Sequence, residues 1–538
     1  MAKPKIPNQK KKYQELNGRL NRYVALVEQI YDTLNLEAAK AVSRTKYSPD
    51  SDKPFKWSDY PQTKKQIDDI QKHFVEDINA TIYRGTTEEW KNSNEAQDLI
   101  ANKVLKAYNA QVDKEKYKIL YQTNSDALKA FQNRKDKGFN ISAKLWQQSM
   151  IYKEELEAAI SCAIQKGTSA VTLSKQISKY LLDFPLLQKD YKDRYGSAEH
   201  IQDCEYRSIR LARSEINMAY RTAENERWKQ MDFVVGYEIK LSSSHHSRMP
   251  HGDICDTLAG KYPKDFTWTG WHPNDLCYKV PILKTEEEFW EWDGRSDVST
   301  ESINEVKDVP DEFKKWVLEN RQKIEKAQKR NTLPYFLRDN KSIVQNINTE
   351  NSAKELVNRA SLVGNEVQSL AESIAKKNKG FVTPINYKSI SSITRKVTTE
   401  GITPYDIKDA VRTTIIVPRS QIDQVLNELS ESDSFVRLKR QKPESFMGYS
   451  GNIVNIQTSN GLIAEIQVNT ERMIYAKEKP EDAKRILGEK RWKEIQKQTG
   501  MEGGLGHKYY EEWRVLDKAD KKAQKIAEKS IEYYSHFQ

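Results

Sequence analysis

The sequence predicts a multidomain protein, with a mainly α N-terminal module that carries a small β and loop-rich tip, followed by an α/β C-terminal domain built on a mixed sheet with helices. Three observations carry this. The chain has 538 residues, and single cores rarely grow past ~250 to 300 residues before a chain splits. Helical periodicity dominates the stretch up to residue 229. From residue 356 the texture changes to short alternating apolar runs between helical ones, the pattern of a sheet covered by helices.

Within residues 13–40, Leu16, Leu20, Tyr23, Val24, Val27, Ile30, Tyr31 and Leu34 recur at the spacing of a long amphipathic helix. Further helices are expected at 63–84, 94–111, 142–166, 171–182 and 203–229, the last with Ile209, Ala212, Ile216, Ala219 and Ala223 on one small-residue face. FVVGYEIKLS, from about 232, reads as a short strand, and an irregular Trp-, Pro- and His-rich stretch follows to about 283. This defines a module over 1–285 with its tip at 245–280. Residues 286–355 are charged and poor in large apolar residues outside Trp316, Val317 and the YFL at 335–337, so they read as a partly helical connector. The second domain is expected over 356–538: helices at 356–376 and 387–398, the strand AVRTTIIVP, the helix SQIDQVLNELS, the strands FVRLKR, GNIVNIQT and LIAEIQVNT, then closing helices.

Hydrophobic residues make up 37% of the chain and charged ones 31%, with a formal net charge of +11 and a pI near 9.0. A basic balance favours polyanionic partners such as DNA, RNA or nucleotide phosphates, although a solvated basic surface gives the same number. No apolar run reaches the ~18 residues of a membrane span, and the lysine-rich N-terminus has no apolar segment behind it, which argues against a signal peptide. Four cysteines, Cys162, Cys204, Cys255 and Cys277, are too sparse for a disulfide framework and fit a reducing compartment.

Two of those cysteines and four of the eight histidines crowd into residues 245–277: His245, His246, His251, Cys255, His272 and Cys277. His251 and Cys255 precede His272 and Cys277 by about twenty residues, a pair-loop-pair spacing suited to tetrahedral Zn²⁺. Buried thiols and surface histidines without a metal are the competing reading.

In the C-terminal domain, LIAEIQVNT alternates: Leu462, Ala464, Ile466 and Val468 point one way, Glu465, Gln467 and Asn469 the other. Such a polar face can be merely solvated. Its neighbours make it more. Lys388, Ser391, Ser392 and Arg395 fall at i, i+3, i+4 and i+7, forming a basic, hydroxyl-rich face if helical. Asp409 stands at the start of a strand, where it can share Mg²⁺ with Glu465 on an adjacent strand. Arg437 and Lys439 share one face of FVRLKR, opposite Val436 and Leu438. Then come GYSGN with Tyr449, EIQVNT with Glu465, and GHKYYEEWR with His507.

This succession resembles the synthetase domain of the RelA/SpoT family over residues 356–515, and implies a nucleotidyltransferase-like fold. The resemblance implies that Lys388 and Arg395 hold ATP phosphates, with Arg437, Lys439 and His507 also in the nucleotide site. It further implies that Asp409 and Glu465 bind Mg²⁺, that Gln467 orients the acceptor and that Tyr449 stacks on its base. The reaction implied is transfer of the β,γ-pyrophosphate of ATP to a ribose 3′-hydroxyl, with release of AMP. Three departures bear on donor and acceptor choice: Asn386 where the synthetases usually have Arg, Asn452 where His commonly follows the Gly-Tyr turn, and Arg412 only three residues after Asp409. The variant looks more like synthetase-like domains fused to toxins or phage proteins.

The N-terminal stretch from LARSEINMAY to GWHPNDLC, with Arg213, Glu215 and the His272 to Cys277 turn, resembles the phage head morphogenesis, or Mu F-like minor head, family over residues 60–285. That resemblance implies portal and capsid partners, contact with packaged DNA, and a place in the virion and then in the host cytoplasm. TIYRGTTEEW is also similar to the Arg-bearing strand of ADP-ribosyltransferases, but its helical flanks make Arg84 structural. The combined expectation is a phage minor head protein whose C-terminal domain transfers pyrophosphate from ATP to a guanine nucleotide or an RNA end. Two alternatives stand beside it: a structural head protein with an inactive nucleotide-binding domain, and a polymorphic toxin with a phage-derived leader.

Overall fold

Helix α1 (Gln9–Ser43) starts where the Asn8 side chain accepts the Lys11 N–H. Its buried stripe, Leu16, Leu20, Val27, Tyr31 and Leu34, is spaced as the sequence requires. The computed structural model describes residues 4–45, 53–163, 170–291, 301–441, 446–517 and 519–538. The chain divides into two units, residues 1–341 and 342–538.

Unit 1 is mostly helical. The helices expected at 63–84 and 94–111 are one helix, α2 (Pro61–Ala107). Gly85 stands in its middle and disfavours helix by about 1 kcal/mol relative to Ala. Its bare Cα lets Ile216 of the crossing helix α4 (Cys204–Gln230) approach so closely that a Cβ would overlap that side chain. The glycine is therefore a crossing point rather than a break, and TIYRGTTEEW is helix, not strand. Ala212, Ile216, Ala219 and Ala223 of α4 are fully buried, and Asp203 caps its start by accepting the Tyr206 N–H at 2.8 Å. Helix α3 (Ile141–Ala163) brings Leu145, Tyr152 and Leu156 into the same core as Tyr31 and Phe74.

A small antiparallel sheet follows, with β1 (Val234–Lys240) between β2 (Gly260–Tyr262) and β3 (Tyr278–Leu283). Lys279 of β3 is buried 3.2 Å from Glu224 of α4, which also accepts the Tyr13 hydroxyl at 2.6 Å. Burial pushes the Lys279 amine down to about 8. The segment expected to be a connector behaves differently. Its described part up to residue 341 folds onto unit 1: the Val306 N–H donates to Val235 O at 3.2 Å, Phe313 stands edge-on to Tyr262 at 5.9 Å, and Phe336 edge-on to Trp271 at 5.1 Å. Val309, Phe313, Val317, Ile324, Phe336 and Leu337 of that charged stretch are buried, and residues 292–300 lie outside the described residues.

Unit 2 opens with a long helix, α5 (Lys341–Lys377), which begins well before residue 356. Its sheet has the order β4-β6-β9-β8-β7, where β4 is Phe381–Val382, β6 Val411–Ile416, β7 Phe435–Arg440, β8 Asn452–Gln457 and β9 Ile463–Asn469, and the short β5 (Asn386–Tyr387) also pairs with β6. The β6–β9 pair is parallel and the other pairs are antiparallel, so the sheet is mixed. Val411, Ile415, Val454, Ile456, Ala464, Ile466 and Val468 form its apolar face. They pack with Leu356, Val363 and Val367 of α5, Ile393 of α6 (Ile390–Glu400), and Val425, Leu426 and Leu429 of α7 (Ile422–Ser430). Each such side chain, fully buried, contributes roughly 1.5–3 kcal/mol. Helices α8 (Glu471–Lys477), α9 (Leu505–Arg514) and α10 (Lys521–Ser535) close the chain, with Tyr475, Tyr533 and Tyr534 in a second, aromatic cluster.

Candidate active site

Opposite the apolar face, strand register lines up a polar row. Asn386 of β5 pairs with Arg412 of β6, Arg412 with Glu465 of β9, Glu465 with Asn455 of β8, and Asn455 with Arg437 of β7. Register partners share a face, so a carboxylate sits between two guanidinium-bearing strands. A second row holds Thr414, Gln467, Ile453 and Lys439. The Gln467 Nε2 donates to Glu465 Oε1 at 2.7 Å, and Lys477 of α8 donates to Gln467 Oε1 at 2.9 Å. Arg437 donates to Asn455 Oδ1 at 3.1 Å.

On β7 a register shift falls between Phe435 and Arg437. Arg437 and Lys439 are both exposed, whereas Phe435 and Leu438 lean on the core and Val436 is solvent-exposed rather than sharing the Leu438 side. An inserted residue breaks simple alternation in this way.

Asp409, just before β6, is ion-paired with Lys388 at 2.5 Å and Lys396 at 3.4 Å. Burial alone would raise its carboxyl, but Lys388, Lys396 and Arg412 outweigh it and hold the group below the usual carboxylate range. Lys388 is not on a helix. Ser389 caps α6, accepting the Ser392 N–H at 3.2 Å, and the Lys388 N–H donates to Ala410 O at 2.9 Å, so Lys388 runs beside the sheet. The basic face expected of Lys388, Ser391, Ser392 and Arg395 is therefore split, with Arg395 exposed while its neighbour Lys396 reaches Asp409. Lys396, Asn455 and Lys477 are members of the site that sequence reasoning passed over, and Arg412, noted there only for its spacing from Asp409, joins them. The alternation of β6 and β8 carries the signal for Arg412 and Asn455; nothing local marks Lys477.

Tyr449 lies at the other end of the polar face. Its hydroxyl and the Asn469 side-chain amide lie 2.9 Å apart, its ring is 5.7 Å from that of Tyr534, and Lys477 Nζ stands 5.4 Å from its centroid. Lys477 is opposed by its own burial, but Tyr449 and Glu478 outweigh this and raise it, so it stays charged. Gly451 makes the arrangement possible, because a Cβ there would overlap the Tyr449 ring. Gly451→Ala is expected to cost about 1–3 kcal/mol as overpacking and close to nothing in a Tyr449→Ala background; denaturant unfolding of the four variants in this cycle checks the coupling.

Glu465 and Asn469 are four residues apart on β9, or ~13 Å at ~3.3 Å per residue. That distance separates the carboxylate end of the face from the aromatic end. Beyond the carboxyl ends of the parallel strands β6 and β9 lies a cavity of about 760 Å³, lined by Asn469, Ser450 and Asn452 and by Arg419, Arg440 and Arg472, a position where open α/β sheets commonly take ligands. His507 sits in the first turn of α9, and no described contact joins it to Asp409 or Glu465. No described cluster of three potential metal ligands lies in unit 2.

In unit 1 the expected quartet is rearranged. Cys255 and Cys277 are buried beside His245, and Cys255 also meets His272 and Asp253, whereas His251 is exposed and belongs to none of these groups. These clusters can hold a metal ion. Arg213 and Glu215 serve the fold: Arg213 donates to Asn21 at 2.7 Å, and Glu215 pairs with Arg134 and Lys144.

A stretch of 170 residues, 31% of the chain, is 38% identical to the (p)ppApp synthetase toxin Tas1 of Pseudomonas aeruginosa (strain UCBPP-PA14). That stretch is thus similar to a RelA/SpoT-like synthetase of the toxin kind. The chain spans 38% of that relative's length. Among solved structures, one of the Type VI effector Tas1 in complex with its immunity protein is 35% identical, covering 35% of this chain and 96% of that one with a TM-score of 0.33. Small alarmone synthetase 1 from Bacillus subtilis is 16% identical, covering 34% and 92% with a TM-score of 0.22. No family model matches.

The expectation of a phage head module therefore finds no support, and that of portal, capsid and packaged-DNA partners is corrected: the relative of the RelA/SpoT-like domain is a toxin, solved with an immunity protein. Nor do the comparisons support a virion location. Among the described residues no helix is long and apolar enough to cross a membrane.

Proposed function

We propose that the chain is a toxin-type nucleotide pyrophosphotransferase, with unit 2 moving the β,γ-pyrophosphate of ATP onto the ribose 3′-hydroxyl of an adenine nucleotide. The 38% identity to a (p)ppApp synthetase toxin is the observation that carries this reading. It favours an adenine over a guanine acceptor and a toxin over a head protein. An immunity protein that masks unit 2 is the corresponding partner.

In this reading the acceptor 3′-hydroxyl gives up its proton to water, its oxygen bonds to the β-phosphorus, the bond from that phosphorus to the α,β-bridging oxygen breaks, and AMP leaves. Such chemistry rests on positioning and charge neutralisation. Asp409, kept ionised by its lysines, and Glu465 are the proposed Mg²⁺ ligands, and a bound cation would neutralise charge on the transferred group. Lys388, Lys396, Arg412, Arg437 and Lys439 would hold donor phosphates, with Arg395 and His507 at the margin. Gln467 fixes the Glu465 carboxylate. Tyr449 would receive the acceptor base at the far end of the face, a distance that suits a nucleotide lying along β9.

The test is to supply the full chain with ATP, Mg²⁺ and, in parallel, AMP, ADP, GDP, GTP or tRNA, and to identify products by mass spectrometry. Pyrophosphorylated adenine nucleotides are expected, with guanine products far fewer. Tyr449→Ala should weaken acceptor use by the ~1–3 kcal/mol typical of base stacking while leaving ATP binding unchanged. ATP binding without transfer to any acceptor would mark unit 2 as a binding module instead.

A further inference from the structure

The tip of unit 1 repeats one local device. In Asp253-Ile254-Cys255 and in Asp275-Leu276-Cys277, the aspartate Oδ1 accepts the backbone N–H of the cysteine two residues on, at 2.7 Å in both cases. The second loop is fixed further by Arg221, whose Nη2 donates to Asp275 O and Cys277 O, each at 2.8 Å, and by Asp275 Oδ2, which accepts the Trp271 N–H at 2.7 Å. The two thiols so presented converge. Cys255, Cys277 and His245 are all buried, and one ligand atom from each lies within 4.8 Å of the others; Cys255 belongs to a second such group with His272 and Asp253.

We propose that this is a mononuclear zinc site in which Cys255, Cys277, His245 and His272 are the ligands. The imidazole of His272 is set for the task. Its Nδ1 lies 2.8 Å from Pro273 O, and a carbonyl only accepts, so Nδ1 carries the proton and Nε2 presents its lone pair 3.2 Å from Cys255 Sγ. The His245 ring is held by Asp256 Oδ2, 2.8 Å from its Nε2. In a tetrahedral site with Zn–S near 2.3 Å and Zn–N near 2.0–2.1 Å, ligand atoms stand roughly 3.5–3.8 Å apart, so His245, Cys255 and Cys277 close on an ion together, and His272, which stands with Cys255 but not with the other two, swings in as the fourth ligand.

Donor chemistry selects the ion. Two thiolates and two imidazoles suit a borderline-soft, redox-inert divalent cation, whereas Mg²⁺ and Ca²⁺ take oxygen ligands. Two thiolates also cancel the charge of the ion, which suits a site whose cysteines are buried. Asp253 Oδ1 accepts the Cys255 N–H, so this residue braces the cysteine's loop from outside the ion's ligand set. The structure assigns His245 in place of His251. The ion would tie the turn after β1 to the loop before β3. This goes beyond the activity proposed for unit 2 and does not depend on it.

The test uses the full chain purified in reducing buffer without added metal. Elemental analysis should find about one zinc per chain, and exchange with Co²⁺ should give the ligand-field and sulfur-to-cobalt charge-transfer absorption of a tetrahedral dithiolate site. Cys255→Ser and Cys277→Ser should each retain less than a tenth of the metal. His245→Ala should bind at least tenfold more weakly, and His251→Ala should match wild type in stoichiometry and spectrum. A folded wild-type chain that holds no zinc and takes up no Co²⁺ overturns the proposal, as does a Cys255–Cys277 disulfide in the freshly purified chain. Loss of metal in His251→Ala with retention in His245→Ala overturns the ligand set. Because the cobalt spectrum is read on wild type, failure of a cysteine variant to fold does not remove the test.

Discussion

Glu465→Gln is expected to reduce pyrophosphate transfer at least about a hundredfold while leaving the unfolding midpoint of unit 2 nearly unchanged. The substitution conserves volume and keeps an oxygen that can accept from Gln467 Nε2, now 2.7 Å from Glu465 Oε1. What it removes is one negative charge between Arg412 and the Asn455–Arg437 pair, where the proposed Mg²⁺ would sit. A carboxylate holding a catalytic cation is worth several kcal/mol at the transition state, and each ~1.4 kcal/mol is tenfold in rate. Asp409→Asn should lose as much activity, and it should also loosen Lys388 and Lys396, which pair with that carboxylate. Initial rates with saturating ATP and Mg²⁺, alongside thermal unfolding, separate the two effects. Both variants within threefold of wild type would move the metal site elsewhere.

A second large effect is expected in unit 1, and it is a pH effect. Glu155 of α3 is buried, its Oε2 accepting the Cys204 N–H at 3.1 Å. Burial pushes its carboxyl up from an ordinary 4.5 to about 8, with Asp203 and Glu205 adding to the rise. The folded form thus holds the proton more tightly than the unfolded form. No cost arises below about pH 4.5, where both forms are protonated; stability is lost as the pH rises from there through about 8, and the loss then levels off. At ~1.4 kcal/mol per tenfold in proton affinity, the full loss is on the order of 5 kcal/mol. Glu155→Gln keeps an acceptor for the Cys204 N–H and carries no charge, so it should flatten the profile and leave unit 1 several kcal/mol more stable than wild type at pH 9. Calorimetric unfolding of both proteins between pH 5.5 and 9 decides this; parallel profiles would mean that Glu155 is solvated in the folded chain.

Much of this architecture could be read from periodicity. The α1 stripe, the small-residue face of α4 and the alternation of β9 are local patterns that tertiary packing reinforces. Reading failed where one residue changes the geometry. The helices expected at 63–84 and 94–111 are one, and the reason for Gly85 within it, the approach of Ile216, is not local. Ser389 ends a helical pattern that would otherwise have taken in Lys388. The bulge in β7 moved Val436 out to solvent. In the candidate site, the acidic residues and Tyr449 were legible because they stand on strands or turns with clear alternation or glycine punctuation. Lys396 and Lys477 were not, since they enter the site from helices whose placement depends on long-range packing. The tip is similar: spacing singled out His251, but only the fold brings His245 to the two thiols. Portal and capsid partners came from a motif likeness in the N-terminal half that no family model supports.

The central claim, that unit 2 is a pyrophosphotransferase, is tested most directly by following label. The full chain is incubated with Mg²⁺, an adenine-nucleotide acceptor and ATP labelled at the γ-phosphate, and the products are separated by charge. The account predicts that label leaves ATP and appears in a more highly charged adenine nucleotide, with one AMP formed per transfer and no such product from Glu465→Gln. Label recovered only in ATP or inorganic phosphate, with the wild-type chain folded and ATP bound, would contradict it.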